Sequence, residues 1–181
     1  MTVHTNLDLR KADEFQARRV VNYVDADGKS AIVEDGLGTA RISTPAFTAV
    51  DLWRWDSLPA PVQAGDTLGE PELVPPAGAA AVRMACFPPD SEVDLDGFAA
   101  ALAAVGGDGA HDTDSTIAML HATDTIDVAV VVSGEIVCVT EQGETTLRQG
   151  DSLVQRGNRH AWSNRSNAPA VLVYTMVSAT R

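Results

Sequence analysis

The second half of the chain is a series of short runs rich in Val, Ile and Thr, and this pattern constrains the fold more than any other feature. Residues with β-branched side chains favour strands. The runs are separated by Gly, Asp or Asn-Ala-Pro turn signals and lie at 116–121, 127–133, 135–141, 144–148, 152–155, 159–164 and 170–177. Strands this short and regularly spaced predict a β-sandwich or a β-barrel.

The first half of the chain contains fewer strand signals. Two short β runs flank Asp25-Ala26-Asp27-Gly28, a combination of aspartates and glycine that is typical of a tight turn. Residues 47–55 and 82–87 are further strand candidates. Between them, residues 56–80 contain five prolines and three glycines, so they are predicted to be loop.

A single helix is predicted between the two halves. Leu95, Phe98, Leu102 and Val105 recur at helical spacing, and Gly106-Gly107 ends the pattern. We expect this segment, about residues 94–115, to be an insertion at the mouth of the barrel.

Charge and composition exclude several classes of function. The formal net charge is −12. The chain therefore lacks the basic surface that a protein needs to bind nucleic acid or an anionic membrane. No apolar run approaches the length that spans a bilayer, and the first residues lack the apolar stretch of a secretory signal. Cys86 and Cys138 form no CxxC pair, so the expected compartment is the cytoplasm, with both thiols reduced.

Four histidines are present: His4, His111, His121 and His160. Strand alternation places Met119, His121 and Thr123 on one face of a strand, and Asp127, Ala129 and Val131 on one face of the next. By the same alternation, His160, Trp162 and Asn164 share a face.

Two imidazoles and a carboxylate inside a barrel are costly to bury unless they form hydrogen bonds or bind a metal. His121, Asp127 and His160 would make a set of two histidines and one carboxylate with open coordination positions. Iron(II) oxygenases use such a set, and zinc, manganese and nickel are alternatives. A hydrogen-bonded cluster that stabilises the barrel interior is the alternative to a metal site.

The spacing of these residues resembles the cupin superfamily. The first cupin motif ends with a glutamate, six residues and a glycine; here Asp127 takes the glutamate position and the residues VAVVVS lead to Gly134. Counting back, Thr123 stands where the motif has its second histidine, and His121 takes the position of the first.

The second cupin motif follows in the expected order. Gly150-Asp151 opens it, Gln155-Arg156-Gly157 stands for its Pro-x-Gly, and His160 and Asn164 match its histidine and asparagine. The resemblance covers roughly residues 80–177. It implies an all-β, double-stranded β-helix (jelly-roll) barrel over residues 81–181, preceded by an N-terminal extension over residues 1–80.

The resemblance leaves two functional interpretations open. The first is a metal-dependent enzyme acting on a small organic molecule, with Fe, Zn, Mn or Ni held by His121, Asp127 and His160, and with dioxygenase, decarboxylase, dehydratase and isomerase chemistry unresolved. The second is a metal-free binding protein, or an isomerase using His121 or His160 as base. In the metal-dependent enzyme, Asp124 or His111 could serve as a general base. The predicted pocket residues are Met119, Thr123, Cys138, Gln155, Trp162 and Asn164.

Two further expectations concern the rest of the chain. Arg83 is a candidate for binding a substrate carboxylate, with a surface or scaffold role as the alternative. The strand candidates of the N-terminal extension, at 20–23 and 31–33, have no obvious partner within one barrel. Because cupins often dimerise through edge strands, these segments predict a homodimer.

Overall fold

The computed structural model describes residues 3–93, 95–107, 110, 112 and 114–181, and for residues 95 and 96 only the backbone. It confirms a mostly β architecture with one α-helix. The strands are β1 (Arg18–Val24), β2 (Ser30–Leu37), β3 (Arg41–Ser43), β4 (Thr48–Trp55), β5 (Ala80–Phe87), β6 (Thr125–Ser133), β7 (Glu135–Thr140), β8 (Gly143–Arg148), β9 (Ser152–Arg156), β10 (Ala161–Ser163) and β11 (Ala170–Ser178), and the helix is α1 (Leu95–Ala103).

The barrel consists of two antiparallel sheets. One has six strands in the order β3-β4-β5-β11-β6-β9, and the other has three in the order β10-β7-β8. Apolar side chains from the inner faces of both sheets pack together with α1 to form the larger core. Successive side chains of a strand point to opposite faces of its sheet, so every second residue can enter the core. On β6 the buried residues include Asp127, Ala129 and Val131, and the exposed ones include Ile126 and Val128.

The six-stranded sheet spans the predicted boundary at residue 80. Strand β4 pairs with β5 along its length, from Thr48 opposite Cys86 to Trp55 opposite Ala80. The N-terminal region therefore contributes two strands, β3 and β4, to the same sheet as the cupin-like residues. Residues 56–79 form the loop that connects β4 to β5, as the proline and glycine content predicts.

The first residues cover the outer face of this sheet. Phe15 is fully buried and belongs to a second core with Leu9, Val50, Cys86 and Val171. Sequence periodicity did not reveal this contact, because residues 3–17 contain no α-helix or β-strand.

Strands β1 and β2 pair with each other as a separate two-stranded sheet. The turn at Gly28 has a positive φ of 75°, and the Asp25 carboxylate accepts hydrogen bonds from the backbone N–H groups of Asp27 and Lys29. Arg19 on β1 pairs with Glu34 and Asp66, and its guanidinium lies 5.4 Å from the centre of the Trp53 ring. These contacts anchor the hairpin to the loop and to β4.

The helix ends as its sequence predicts. Gly106 has a φ of +72°, and the N–H of Gly107 donates to the Leu102 carbonyl at 2.8 Å. Phe98, Leu102 and Val105 are buried, so the helix packs its apolar side onto the barrel. No helix formed by the described residues is long and apolar enough to cross a membrane.

Candidate functional site

A cavity of about 100 Å³ lies inside the barrel, beneath the helix. Its walls are mainly apolar, with Phe47, Phe98, Leu102, Met119, Trp162 and Met176 among the residues that line it. For scale, an apolar cavity of roughly 150 Å³ in another protein binds benzene. The cavity is about two thirds of that size, which restricts any occupant to a small molecule.

Two histidines meet at the wall of this cavity. His121 and His160 form an isolated antiparallel bridge, in which each backbone N–H donates to the other residue's carbonyl at 2.9 Å. Their ring centroids are 4.4 Å apart. Residues 116–120 are turn rather than the predicted strand, so the bridge depends on this single pair of residues.

Backbone carbonyls set the tautomer of both imidazoles. The Nδ1–H of His121 donates to Met119 at 2.9 Å, and the Nδ1–H of His160 donates to Asn158 at 3.0 Å. A carbonyl can only accept, so each proton lies on Nδ1. Met119 adopts a φ of 61°, a strained conformation for a residue with a side chain that costs about 1–3 kcal/mol and is often found at functional sites.

His160 is a neutral base in this environment. Its side chain is almost fully buried, and burial lowers its pKa below the usual value, with the hydrogen bond to the Asn158 carbonyl acting in the opposite direction. With the proton on Nδ1, Nε2 of His160 is the hydrogen-bond and proton acceptor. A neutral imidazole of this kind can accept a hydrogen bond from a bound molecule at neutral pH.

Asp127 brings a carboxyl group to the same cavity. It is 8% exposed and lies on β6 between Gln155 of β9 and Met176 of β11. Burial raises its pKa, and the Thr125 hydroxyl and the Arg83 charge offset part of this rise. Among the described residues its Oδ1 atom has no hydrogen-bond partner.

The metal centre predicted from His121, Asp127 and His160 stays a prediction. No group of three or more His, Cys, Asp and Glu side chains within the described part of the chain could hold a metal ion. His121, His160 and Asp127 line one cavity, but the Asp127 carboxyl is coupled electrostatically to Arg83 and Tyr174 on the neighbouring strands. Among the described residues, these side chains do not by themselves complete a three-ligand group.

The predicted pocket residues divide into two groups. Met119, Thr123, Trp162 and Asn164 line the cavity. Cys138 and Gln155 do not line it; they are buried against each other, and Gln155 Nε2 donates to Cys138 Sγ at 3.8 Å. His111 lies outside the described residues, and Asp124 is exposed and paired with Arg181 at 2.6 Å.

Asn164 lines the cavity but its amide is used elsewhere. Its side-chain nitrogen donates to the carbonyls of Phe87 and Ala168, at 3.0 and 2.9 Å, and its oxygen accepts from the backbone and the hydroxyl of Ser166. Asn164 therefore organises the turn before β11 and joins it to the end of β5.

Tyr174 is a cavity residue that sequence reasoning missed. It lies on β11, where Leu172, Tyr174 and Met176 alternate with less buried residues, and this alternation was the signal that could have identified it. Its ring centroid is 6.1 Å from that of Trp162. Its hydroxyl has no partner among the described residues, and burial followed by the Asp127 charge raises its pKa well above the usual value.

Comparison with known families supports the fold assignment. Residues 111–177 match the family model described as the cupin domain. This segment of the chain is similar to a cupin domain. It includes the histidine bridge, Asp127 and Tyr174.

Curated relatives match only a short part of this domain. Phomopsin biosynthesis cluster protein C' of Diaporthe leptostromiformis is 48% identical over 50 residues, which are 27% of this chain and 26% of that protein. The cupin-domain-containing oxidoreductase virC of Hypocrea virens is 35% identical over 51 residues, 28% of this chain and 26% of that protein. The chain thus matches about a quarter of the length of these relatives.

Solved structures resemble this chain at low identity. The cupin domain of Schizosaccharomyces pombe Cnp3 has a TM-score of 0.45 and 11% identity, with 89% of this chain and 87% of that chain covered. A putative ethanolamine utilization protein from Salmonella typhimurium has a TM-score of 0.45 and 10% identity, covering 91% of this chain and 98% of that chain.

Proposed function

We propose that this cupin domain binds a small, mostly apolar organic molecule inside the barrel, and that His160 and Asp127 interact with the molecule's polar group. The observation that carries the proposal is the cavity itself, which is apolar except for a few polar side chains that include a neutral imidazole and a buried carboxyl. Cavities with mostly apolar walls and a few convergent polar groups are typical of small-molecule sites.

The cavity walls suggest how such a molecule is held. Phe98 and Leu102 of α1 form the wall on the helix side, while Trp162 and Met176 come from the two sheets. Apolar contact with these side chains would supply most of the binding energy, since burial of apolar surface is worth about 25 cal/mol per Å². His160 Nε2 would then orient the molecule by accepting a hydrogen bond.

Binding can be tested by filling the cavity. Ala46 and Ala85 line it, and Ala46→Leu or Ala85→Leu would occupy part of its volume. Titration with isobutyramide, followed by two-dimensional NMR, should shift the signals of cavity residues in the wild type and not in a filled variant. Val62→Leu, at a site that is 99% exposed, is the control. Shifts that persist in both filled variants, or that avoid the cavity, would contradict the proposal.

A metal-dependent reaction is the second candidate function. It is favoured by the Nδ1 hydrogen bonds of His121 and His160 to backbone carbonyls, a pattern that also orients metal-binding histidines. Fe, Zn, Mn and Ni remain the candidate ions, and each would need a further ligand because Asp127 does not complete a three-residue group. Elemental analysis of untagged protein, purified without chelator, distinguishes the two candidates.

We also propose that the chain forms a homodimer through the β1–β2 hairpin. The supporting observation is that Ile32 and Val33 of this two-stranded sheet are 69% and 61% exposed. Two-stranded sheets are marginally stable alone, so a partner surface would stabilise the hairpin.

A further inference from the structure

Most polar groups that line the cavity already have partners. The Arg83 guanidinium donates to both Asp51 oxygens and to the carbonyls of Glu72 and Leu73. The Thr123 hydroxyl lies 2.8 Å from that of Thr125. The amide of Asn164 is bonded to the turn before β11, as described above. These groups stabilise the protein and are not available to recognise a ligand.

Two polar groups of the cavity differ from these. Asp127 Oδ1 and the Tyr174 hydroxyl are buried and have no hydrogen-bond partner among the described residues, although both side chains line the cavity. Each residue is 8% exposed. Buried polar atoms of native proteins are nearly always satisfied, so a pair facing one cavity indicates that the occupant of the cavity supplies the missing bonds.

Strand register places these two groups side by side. On β6 and β11, Asp127 lies opposite Met176, and Tyr174 lies opposite Ala129. Asp127 and Tyr174 are therefore diagonal neighbours on the inner face of one antiparallel pair, where Cα atoms lie about 7–8 Å apart and long side chains can reach one molecule. A carboxyl oxygen accepts a hydrogen bond, and a phenol donates one.

The charge of the cavity restricts its ligand further. Among the cavity-lining residues that the structure describes, Arg83 is the only lysine or arginine. Its charge is compensated by Asp51, whose Oδ1 lies 2.5 Å from Arg83 Nε. An anionic ligand would therefore face the Asp127 carboxyl without a free cation beside it. Burying such a charge without a partner is strongly unfavourable.

Building on the function proposed above, we infer that the cavity selects an uncharged molecule that presents a hydrogen-bond donor and an acceptor side by side, as an amide does. Asp127 Oδ1 accepts from the donor of the ligand, and the Tyr174 hydroxyl donates to its carbonyl. Carboxylates and phosphates are rejected. Asp127 and Tyr174 are thus the residues that determine specificity.

Three probes of similar size and shape test this inference. Isobutyramide carries a donor and an acceptor, 3-methyl-2-butanone carries the acceptor alone, and isobutyrate is the anion. Titrations of the full chain at neutral pH, followed by two-dimensional NMR, should show isobutyramide binding at least about fivefold more tightly than the other two, the difference expected for one or two hydrogen bonds. Equal affinity for the amide and the carboxylate would overturn the inference.

Two isosteric variants assign the contacts. Tyr174→Phe should weaken isobutyramide binding about fivefold, because it removes the donor and little else. Asp127→Asn keeps an acceptor and removes the charge, so isobutyramide affinity should stay within about twofold while isobutyrate binds several-fold more tightly. Tyr23→Phe and Asp27→Asn, at exposed positions of the hairpin, are matched controls that should change none of the affinities.

The outcomes separate this inference from the proposed function. If the three probes bind in the cavity with equal affinity, or if both variants leave the affinities unchanged, the inference is wrong and the small-molecule site stands. If no probe shifts the cavity signals, both the inference and the proposed function are wrong.

Discussion

Arg83 and Asp51 form a buried ion pair across two neighbouring strands at the edge of the cavity. They are register partners on β5 and β4, and Nε and Nη2 of Arg83 lie 2.5 and 3.1 Å from the two carboxylate oxygens. Two further guanidinium hydrogens reach the carbonyls of Glu72 and Leu73, in the loop between these strands. This ion pair thus joins the sheet to the loop. Because Asp51 compensates the charge of Arg83, that charge does not contribute to ligand recognition.

Removing one member of this pair should destabilise the fold. Arg83→Met leaves the Asp51 charge buried without compensation, so we expect the free energy of unfolding in urea to fall by about 3–5 kcal/mol. The double variant Asp51→Leu/Arg83→Met should recover most of this loss. Arg148→Met, which breaks an exposed pair with Glu135, should cost less than about 1 kcal/mol. Equal losses for Arg83→Met and Arg148→Met would contradict this prediction.

Restoring the missing histidine should create a metal site. Thr123 lines the cavity close to His121, at the position where the cupin motif has a second histidine. Thr123→His adds a third imidazole to His121 and His160, and we expect Zn²⁺ to bind at least about tenfold more tightly than to wild type, measured by calorimetry on chelator-treated protein. Thr123→Asn is the control of comparable polarity. Zinc affinity that does not change, in a variant with native circular dichroism, would contradict the prediction.

The hairpin should mediate dimer formation. We expect light scattering at micromolar concentration to give twice the chain mass of 19.0 kDa. Ile32→Glu places a charge among the exposed apolar residues of β2 and should shift the protein toward the monomer, whereas Val62→Glu in the exposed loop should not. A wild-type mass of 19.0 kDa would end this proposal.

The two thiols should be unreactive in the folded protein. Cys86 is fully buried, and burial raises its pKa to about 12; burial also raises the pKa of Cys138. At pH 8 the thiolate fraction of Cys86 is then about one in ten thousand, and the thiolate is the reactive form. Ellman's reagent should react slowly with native protein and rapidly in urea, because unfolding restores ordinary pKa values. If the folded Cys138→Ala variant reacted rapidly with Ellman's reagent, Cys86 would be accessible and the prediction would be wrong.

Local sequence determined the secondary structure of this protein to a large extent. The runs from residue 127 onward became strands β6 to β11, because alternating β-branched residues and glycine turns act over a few neighbouring residues. Gly134 illustrates this. Its φ is 77°, and a Cβ added to it would lie 3.1 Å from the Ala170 Cα atom, so the turn between β6 and β7 favours glycine. The same local signals ended helix α1 at Gly106-Gly107. They also placed Asp127 and His160 on inward-facing positions.

Tertiary structure alone decided which of these groups act together. Local periodicity carries no information on register between distant strands, so it showed neither the β4–β5 pairing that joins Asp51 to Arg83 nor the place of Phe15 in the outer core. It suggested that Asp127 completes a histidine metal site, but it did not show that strand order sets Asp127 beside Tyr174. The sequence by itself thus determines a cupin-like β-barrel with its polar residues inside. The chemistry of its cavity depends on the distances that strand pairing imposes between residues far apart in the chain.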